Sequence, residues 1–375
     1  MASTQRYLAD LSAELDAMVA LLGQLVNCES PSEDLSALDR CAALLAAVGA
    51  GFLGREPERV VLAGITNLVW RPRPNGPLLL GHYDTVWPMG TLAELPFSTH
   101  EGIARGPGVF DMKAGIVQML YAARISGAHD RVGLLLTGDE ETGSLTSRAL
   151  VEELAGKAGA VLVGEPSAPG GAVKIARKGV ARFRVAVRGR AAHAGLEPEL
   201  GVNATVELAH QVLAMSSAQR ADLGTTVTPT VATSGSTVNT VPETAAFDID
   251  VRGWTRTELD RVTGHMHTLR AVLPDAALSV TGGVNRYPLE EAMSADLVAH
   301  ARAAARELGL PEPEGVRSGG GSDGNLTAAI GIPTLDGMGA VGGHPHARDE
   351  FVQIATMPAR TALLAATLDR LGGGA

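Results

Sequence analysis

Hydrophobic residues recur along the chain with two spacings, one typical of helices and the other of buried strands. Residues 4–26 carry leucine and valine at steps of three and four, which predicts one amphipathic helix. Helical patterns at 112–126 and 144–156 separate apolar runs that predict buried strands, at 68–70, 78–82, 132–138 and 160–166. Because strands and helices alternate, we expect an α/β domain with a mostly parallel sheet and helices on both faces.

The pattern changes near residue 178, where polar and apolar residues begin to alternate. Arg182 and Arg184 share one face and Phe183 and Val185 the other, as in a half-exposed antiparallel strand. Four strands are predicted at 182–189, 225–234, 242–252 and 276–282, with helices at 202–218 and 255–273. Residues 178–289 are therefore expected to form an inserted α/β sandwich. The other domain is expected to combine residues 1–177 and 290–375, with further helices at 294–308 and 357–371.

Charge and composition exclude several classes of protein. The formal net charge is −10 without a long basic run, which argues against a nucleic-acid partner. Asp10, Glu14 and Asp16 stand where a signal peptide needs an apolar core, and no apolar run reaches the roughly 18 residues of a membrane span. Cys28 and Cys41 lack a CxxC spacing and are expected to be buried, reduced thiols. We therefore expect a cytoplasmic protein that does not bind a membrane.

Polar residues with metal-ligand chemistry follow several predicted strands. His82 ends one apolar run, and Asp84 is spaced to hold the far ring nitrogen of that imidazole. Asp111 begins a helix, and the pair Glu140 and Glu141 follows the next strand. Each of these residues alone is typical of an ordinary turn or helix cap. In parallel sheets, however, the carboxyl ends of strands are where ligands bind.

Two later segments complete the set. Glu165 follows a fourth apolar run, and His344 and His346 stand near the C-terminus. Together the carboxylates and imidazoles suit two zinc ions, which need a shared anion between them because they are held about 3.5–4 Å apart. Of the two adjacent acids, Glu140 would remain as a general base.

At this point the sequence resembles a known family, the M20 metallopeptidases. The resemblance rests on GHYDTV, RGPGVFDMKAG, TGDEETGS, GEPS, AAHAG and HARDEFV, in that order and over nearly the whole chain. It implies a zinc-exopeptidase-like catalytic domain with an inserted lid and dimerisation domain. The family includes glutamate carboxypeptidases, acetylornithine deacetylases, succinyl-diaminopimelate desuccinylases and aminoacylases.

The resemblance also implies a role for each residue of the predicted centre. His82 and Glu165 would bind one zinc and Glu141 and His346 the other, with Asp111 bridging, Asp84 orienting His82 and Glu140 acting as the base. The family's closing His-x-x-x-Glu motif fits His346 and Glu350 better than it fits His344, although both histidines remain open. Cobalt or manganese are possible substitutes for zinc. The Asp111–Met112 bond matches a position where the family often has a cis peptide.

In the inserted domain the resemblance implies residues that contact the substrate. His193 would be supplied across a homodimer to stabilise the oxyanion, and Asn239 and Arg252 would bind a substrate carboxylate. An arginine fits that task because its planar fork matches both carboxylate oxygens. Gly320 and Ser322, in the loop GGGSDGN, would face the same pocket.

The implied reaction is hydrolysis of an amide bond in an N-acyl amino acid or short peptide with a free carboxylate. Within the family the chain most resembles the glutamate carboxypeptidases, on EPELGVNATVEL and the pattern of the inserted domain. A biosynthetic deacylase of the acetylornithine deacetylase or succinyl-diaminopimelate desuccinylase type is the alternative. A catalytically silent, metal-dependent binding protein is the alternative outside enzymes.

Overall fold

The computed structural model describes residues 4–372, which divide into two compact units. The first unit contains the described residues up to 176 together with 289–318 and those from 322 onward, and the second contains 177–288 and 319–321. The helices of the first unit are α1 (Thr4–Ala13), α2 (Leu15–Val26), α3 (Leu35–Leu53), α4 (Ala114–Ile125), α5 (Arg148–Ala155), α8 (Ala295–Leu308), α9 (Gly324–Ala329) and α10 (Met357–Gly372). The second unit has α6 (Ala204–Ala214) and α7 (Arg256–Thr268).

A six-stranded sheet forms the centre of the first unit. Its strands, in spatial order, are β1 (Glu58–Leu62), β2 (Ile65–Trp70), β6 (Gly133–Thr137), β3 (Pro77–His82), β7 (Ala160–Val163) and β16 (Thr334–Leu335). The last four pair in parallel, whereas β1 and β2 pair antiparallel at one edge. Along β3, Leu79 faces one hydrophobic core while Leu78 and Leu80 face another, so helices cover both faces of the sheet. The predicted fold class is confirmed.

Shorter strands of the first unit flank this sheet. A four-stranded antiparallel sheet contains, in spatial order, β17 (Gly342–Gly343), β18 (Phe351–Gln353), β5 (Ile103–Arg105) and β4 (Ser98–His100). A two-stranded sheet joins β15 (Gly315–Ser318) to β8 (Val173–Arg177). None of these six strands was predicted, because two to five residues are too few to show a hydrophobic period.

The second unit is an antiparallel sheet with its two helices packed against it. The sheet order is β11 (Thr226–Ser234), β13 (Thr244–Gly253), β9 (Gly179–Arg188) and β14 (Ala277–Arg286), and a separate pair joins β10 (Ala192–His193) to β12 (Thr240–Val241). Phe183, Val185 and Phe247 on the sheet share one core with Leu259 and Met266 of α7. The order along the chain matches the predicted strand–helix–strand–strand–helix–strand sandwich.

Two N-terminal helices differ from the prediction. The single helix expected over 4–26 breaks at Glu14, whose ψ of 6° lies outside the helical range. The break lets α1 pack on α10 while α2 packs on α4. The sequence analysis missed α3, although Asp34 caps it by accepting a hydrogen bond from Ala37 N at 2.9 Å. By length and composition α3 could cross a membrane, but buried core helices pass the same test, and seven of its residues are buried.

Candidate metal centre

Three neighbouring parallel strands end side by side and bring their following segments to one edge of the sheet. His82, the last residue of β3, pairs with Thr137, the last residue of β6. On the other side of β3, Leu80 pairs with Val163, the last residue of β7. The polar segments that follow these strands therefore leave the sheet together, as expected for a ligand site in an α/β fold.

His82 is buried, and both of its ring nitrogens face carboxylates. Its Nε2 lies 3.3 Å from Asp111 Oδ1 and 3.5 Å from Glu165 Oε1. Its Nδ1 lies 3.4 Å from Asp84 Oδ1 and 3.1 Å from the Asp84 carbonyl oxygen. This arrangement leaves Nε2 to face a metal while Asp84 orients the ring, as second-layer carboxylates commonly do.

Asp84 also holds the segment that carries the two adjacent glutamates. Its Oδ1 accepts a hydrogen bond from Glu140 N at 3.2 Å, and its Oδ2 accepts one from Glu141 N at 3.1 Å. Ser32 Oγ donates a third bond to Oδ2 at 2.7 Å. One buried carboxylate thus connects His82 with both glutamates.

Asp111 lies in a tight turn just before α4. The turn, Val109–Lys113, has non-helical dihedral angles at Asp111 and Met112, and the peptide bond between these two residues is cis. Glu350 supports this turn by accepting hydrogen bonds from four donors, namely the backbone N–H groups of Gly108, Phe110 and Asp111 and the indole of Trp87. Burial raises the pKa of Glu350 to about 7, although these donors favour its charged form.

His346, and not His344, reaches the cluster. His346 Nε2 lies 3.3 Å from both Asp111 Oδ2 and Glu141 Oε1. His344 instead pairs its Nδ1 with Asp349 Oδ2 at 2.6 Å, and both of these side chains are more than half exposed. The φ values of His346 and His344 are left-handed, at 62° and 59° respectively. The loop between β17 and β18 therefore changes direction at each of these residues.

The electrostatics of the cluster reflect an excess of buried negative charge. Burial opposes protonation of His82. Hydrogen bonds to carboxylates nevertheless raise its pKa well above the usual value, and the bond to Asp111 has the largest effect among them. The same Asp111 and then Glu141 raise the pKa of His346 to about 10. Burial opposes ionisation of Asp111, but the two histidines hold the pKa of its carboxyl well below the usual range. The imidazoles thus compensate carboxylate charge that a metal cation would otherwise neutralise.

The donor set fits divalent metal ions. Ligand atoms of His82, Asp111 and Glu141 lie within 4.8 Å of one another, and so do those of His82, Glu140 and Glu165. Asp111 Oδ1 and Glu141 Oε1 are buried, and each lies 3.3 Å from an imidazole nitrogen, so a cation between these groups would offset the cost of burying their charge. Carboxylates and imidazoles without a thiolate are ligands typical of a two-metal hydrolytic centre.

Several residues support the metal-site segments from distant parts of the chain. Ser32, Glu350 and Asp323 each form a hydrogen bond with such a segment. The Lys113 ammonium is buried and donates to the carbonyl oxygens of Leu25 and Cys28, at 3.0 and 2.8 Å. Only Glu350 could have been found beforehand, because it closes the His-x-x-x-Glu motif.

The predicted residues of the second unit are exposed or engaged within that unit. His193 is exposed, and its Nδ1 accepts hydrogen bonds from Gly195 N and Leu196 N, both at 3.1 Å. Asn239 is exposed, and its carbonyl oxygen accepts a bond from Ala194 N. Arg252 forms a two-point ion pair with Asp250, at 2.7 and 2.9 Å from Nε and Nη2.

The glycine-rich loop contributes differently at its two predicted positions. The Gly320 carbonyl oxygen accepts a bond from Arg177 Nη1 at 3.2 Å. Ser322 is fully buried, and its hydroxyl donates to Asp336 Oδ2 at 2.5 Å. The Ser322 side chain therefore supports its own loop, and the expectation that this loop faces the substrate through its backbone stays a prediction.

A mixed α/β sheet that gathers buried carboxylates and imidazoles at its carboxyl edge defines a metal-dependent hydrolase. The profile of Peptidase family M20/M25/M40 matches residues 78–370, and the chain belongs to this family. It is 31% identical to carboxypeptidase G2 of a Pseudomonas species over 380 residues, covering 96% of this chain and 91% of that one. Succinyl-diaminopimelate desuccinylase of Alkalilimnicola ehrlichii is 30% identical over 352 residues, covering 86% and 91%.

A solved structure with little sequence identity has the same fold. An M20 family metallo-carboxypeptidase from Sulfolobus solfataricus superposes with a TM-score of 0.74 at 16% identity, covering 95% of this chain and 99% of that one. The predicted family and enzyme class are confirmed, so the chain is a hydrolase of the M20 type. The silent binding protein is set aside.

Proposed function

We propose that this protein is a two-zinc carboxypeptidase that hydrolyses N-acyl amino acids or dipeptides with a free C-terminal carboxylate. The observation that best supports this proposal is the cluster in which buried oxygens of Asp111 and Glu141 meet two imidazoles. The similarity to carboxypeptidase G2 over 96% of the chain supports the carboxypeptidase reaction. The family profile supports its hydrolytic chemistry.

Five residues would hold the metal ions. His82 and Glu165 would ligate one ion, Glu141 and His346 the other, and Asp111 would bridge them. Two bound zinc ions would polarise the scissile carbonyl and lower the pKa of a water molecule toward about 7. Cobalt or manganese are expected to substitute, since both accept the same oxygen and nitrogen ligands.

The chain's own residues would move the protons and bind the substrate. Glu140 would take a proton from the attacking water and return it to the leaving amine. His193 of a second protomer would donate a hydrogen bond to the oxyanion. Asn239 and Arg252 would bind the substrate carboxylate, with the backbone at Gly320 beside them. Because Asp250 engages the Nε and Nη2 edge of Arg252, the carboxylate would meet Nη1.

A cavity in the first unit is our candidate site for the acyl part of the substrate. A cavity of about 290 Å³ opens beside Glu141 and is lined by Ser32, Glu33, Thr85 and Val86 among others. Its mixed apolar and acidic wall favours a small neutral acyl group over an anionic one, because Glu33 would repel a second carboxylate.

The decisive experiment is a panel of N-acyl amino acids and dipeptides, followed by amine release. Activity is expected to vanish after chelation and to return with zinc or cobalt. Each substrate is paired with its C-terminal amide as the matched control. Full activity in metal-free protein would refute the two-metal centre, and equal turnover of acids and amides would refute the carboxypeptidase assignment.

The second candidate is a succinyl-diaminopimelate desuccinylase type of deacylase, which the 30% identity to such an enzyme favours. That reaction requires an N-succinyl substrate, whose acyl group carries its own carboxylate. The same panel separates the two, because a deacylase is expected to prefer N-succinyl over N-acetyl or N-benzoyl compounds. A preference for neutral acyl groups supports the carboxypeptidase.

We further propose a cytoplasmic homodimer joined through residues 178–289, with 1–177 and 290–375 as the catalytic domain. The edge strands β11 and β14 support an interface, because exposed edges are usually covered. Mixing inactive His193→Ala with inactive Glu140→Ala chains tests it. If His193 acts in trans, each heterodimer has one intact site, and activity recovers toward half of wild type. No recovery despite subunit exchange would refute the trans assignment.

A further inference from the structure

The turn that carries Glu140 and Glu141 is held at both ends by a single carboxylate. Thr137, the last residue of β6, donates its hydroxyl to Asp323 Oδ2 at 3.3 Å. Ser144, on the far side of the turn, donates its hydroxyl to Asp323 Oδ1. Asp323 is 3% exposed and lies in the glycine-rich loop, about 180 residues away from this turn in sequence.

The backbone of Ser144 has an unfavourable conformation, so its hydrogen bond to Asp323 helps to hold the turn in place. Its φ of 54° is left-handed, a region that costs a non-glycine residue about 1 kcal/mol or more and persists only when neighbours enforce it. Ser144 N donates to Asp139 O at 2.8 Å, and Gly143 N donates to Glu140 O at 2.8 Å. These bonds close the turn on itself, and the hydroxyl bond to Asp323 fixes the turn to the rest of the unit.

We infer that Asp323 is a positioning residue of the metal centre, which holds the turn of Glu140 and Glu141 at the distance that metal binding requires. Its effect is exerted through Thr137 and Ser144, since it ligates neither metal. The inference rests on the proposed function, because it assumes that the centre binds two zinc ions. It makes the glycine-rich loop part of the support of the metal centre.

Asp336 provides a matched control for a buried acid in the same region. It is fully buried like Asp323, and it accepts the Ser322 hydroxyl at 2.5 Å. Replacing either acid removes a buried carboxylate, so both changes are expected to lower the melting temperature. Only a change at Asp323 releases Thr137 and Ser144, so only that change is expected to weaken the binding of zinc.

The experiment compares zinc binding in folded wild-type, Asp323→Ala, Asp323→Asn and Asp336→Asn proteins, by competition with a chromogenic chelator. Asp323→Ala is expected to bind one zinc ion about tenfold or more weakly, the usual scale for a supporting residue. Its kcat is expected to fall, while its KM is expected to stay near the wild-type value. Asp323→Asn retains one acceptor oxygen and is expected to recover most of the affinity. Asp336→Asn is expected to match wild type in zinc affinity.

Each failure has a separate signature. If the wild-type chain itself does not bind two zinc ions, the proposed function fails and this inference with it. If wild type binds two but Asp323→Ala binds them as tightly as Asp336→Asn does, only the positioning role of Asp323 is overturned. If Asp323→Ala does not fold, Ser144→Ala removes the hydrogen bond between Ser144 and Asp323 from the other side. This variant is also expected to bind zinc more weakly. Unchanged zinc affinity in Ser144→Ala would also overturn the inference.

Discussion

Replacing Asp84 by asparagine tests how the centre is assembled, because its carboxylate joins three segments. Each oxygen accepts the backbone N–H of one glutamate, at 3.2 Å from Glu140 and 3.1 Å from Glu141. In Asp84→Asn one of these oxygens becomes an NH₂ group, which cannot accept a bond. One glutamate N–H then loses its acceptor, and the His82 ring loses its negative partner at 3.4 Å.

The size of the effect follows from these contacts. A hydrogen bond to a charged group contributes about 1.5–3 kcal/mol, and each 1.4 kcal/mol is a factor of about ten in binding. If the whole loss falls on the metal-bound state, Asp84→Asn binds zinc roughly 10–150-fold more weakly. Ser32→Ala removes one hydroxyl bond to the same carboxylate at 2.7 Å, and its expected cost is about tenfold, at the lower end of hydrogen bonds to charged groups.

The assay is the dissociation constant for zinc, measured by chelator competition at pH 7 on protein shown to be folded by circular dichroism. The order wild type, Ser32→Ala, Asp84→Asn is expected for increasing dissociation constants, and kcat is expected to fall in the same order. Zinc binding by Asp84→Asn within twofold of wild type would show that Asp84 does not support the ligands. The reasoning from its contacts would then be refuted.

Three further outcomes are expected. Glu140→Gln should lower kcat at least about 10²-fold while zinc stays at two per chain, and loss of zinc would make it a ligand. Elemental analysis should show that His346→Ala contains less zinc than wild type, whereas His344→Ala should contain as much zinc as wild type. The two-point bond from Arg261 lowers the pKa of Glu258 to about 2, so this acid stabilises the fold above pH 4–5 and loses that contribution as pH falls toward 2. After a discount for the partial exposure of this ion pair, the contribution to the free energy of unfolding is about 2 kcal/mol. In Glu258→Gln the free energy of unfolding should therefore fall less steeply as the pH is lowered.

The fold could be predicted where residues repeat over many positions. The apolar runs at 78–82, 132–138 and 160–166 predicted three buried strands of a mostly parallel sheet, and the alternation from 178 onward predicted the inserted sheet. Breaks and short elements could not be predicted in this way. Glu14 is an acceptable helix residue, and the break there depends on which neighbours α1 and α2 meet. Tertiary packing therefore decided what the local pattern left undetermined.

The candidate site could be predicted as a set of ligand types but not as a geometry. Imidazoles and carboxylates following strands indicate a metal, and the spacing to Glu350 favoured His346 over His344. The structure adds that the loop turns left-handed at His346 and directs Nε2 to Asp111. No sequence pattern identifies Ser32 or Asp323, because a single polar residue bonded across 52 or 179 positions leaves no periodic signal.

The supporting bonds explain why so many acids are buried in one small region. Asp84, Glu350 and Asp323 are nearly inaccessible. Glu350 holds the turn that carries Asp111, whereas Asp84 and Asp323 both hold the turn that carries Glu140 and Glu141, through backbone or hydroxyl donors. Burying charge in this way is unfavourable for a fold considered alone, since each carboxylate must be desolvated. The arrangement becomes favourable once cations occupy the centre, because binding energy for the ions is then also folding energy for the turns that meet there. If the centre binds metal ions as proposed, the stability of the first unit and its chemistry depend on the same carboxylates.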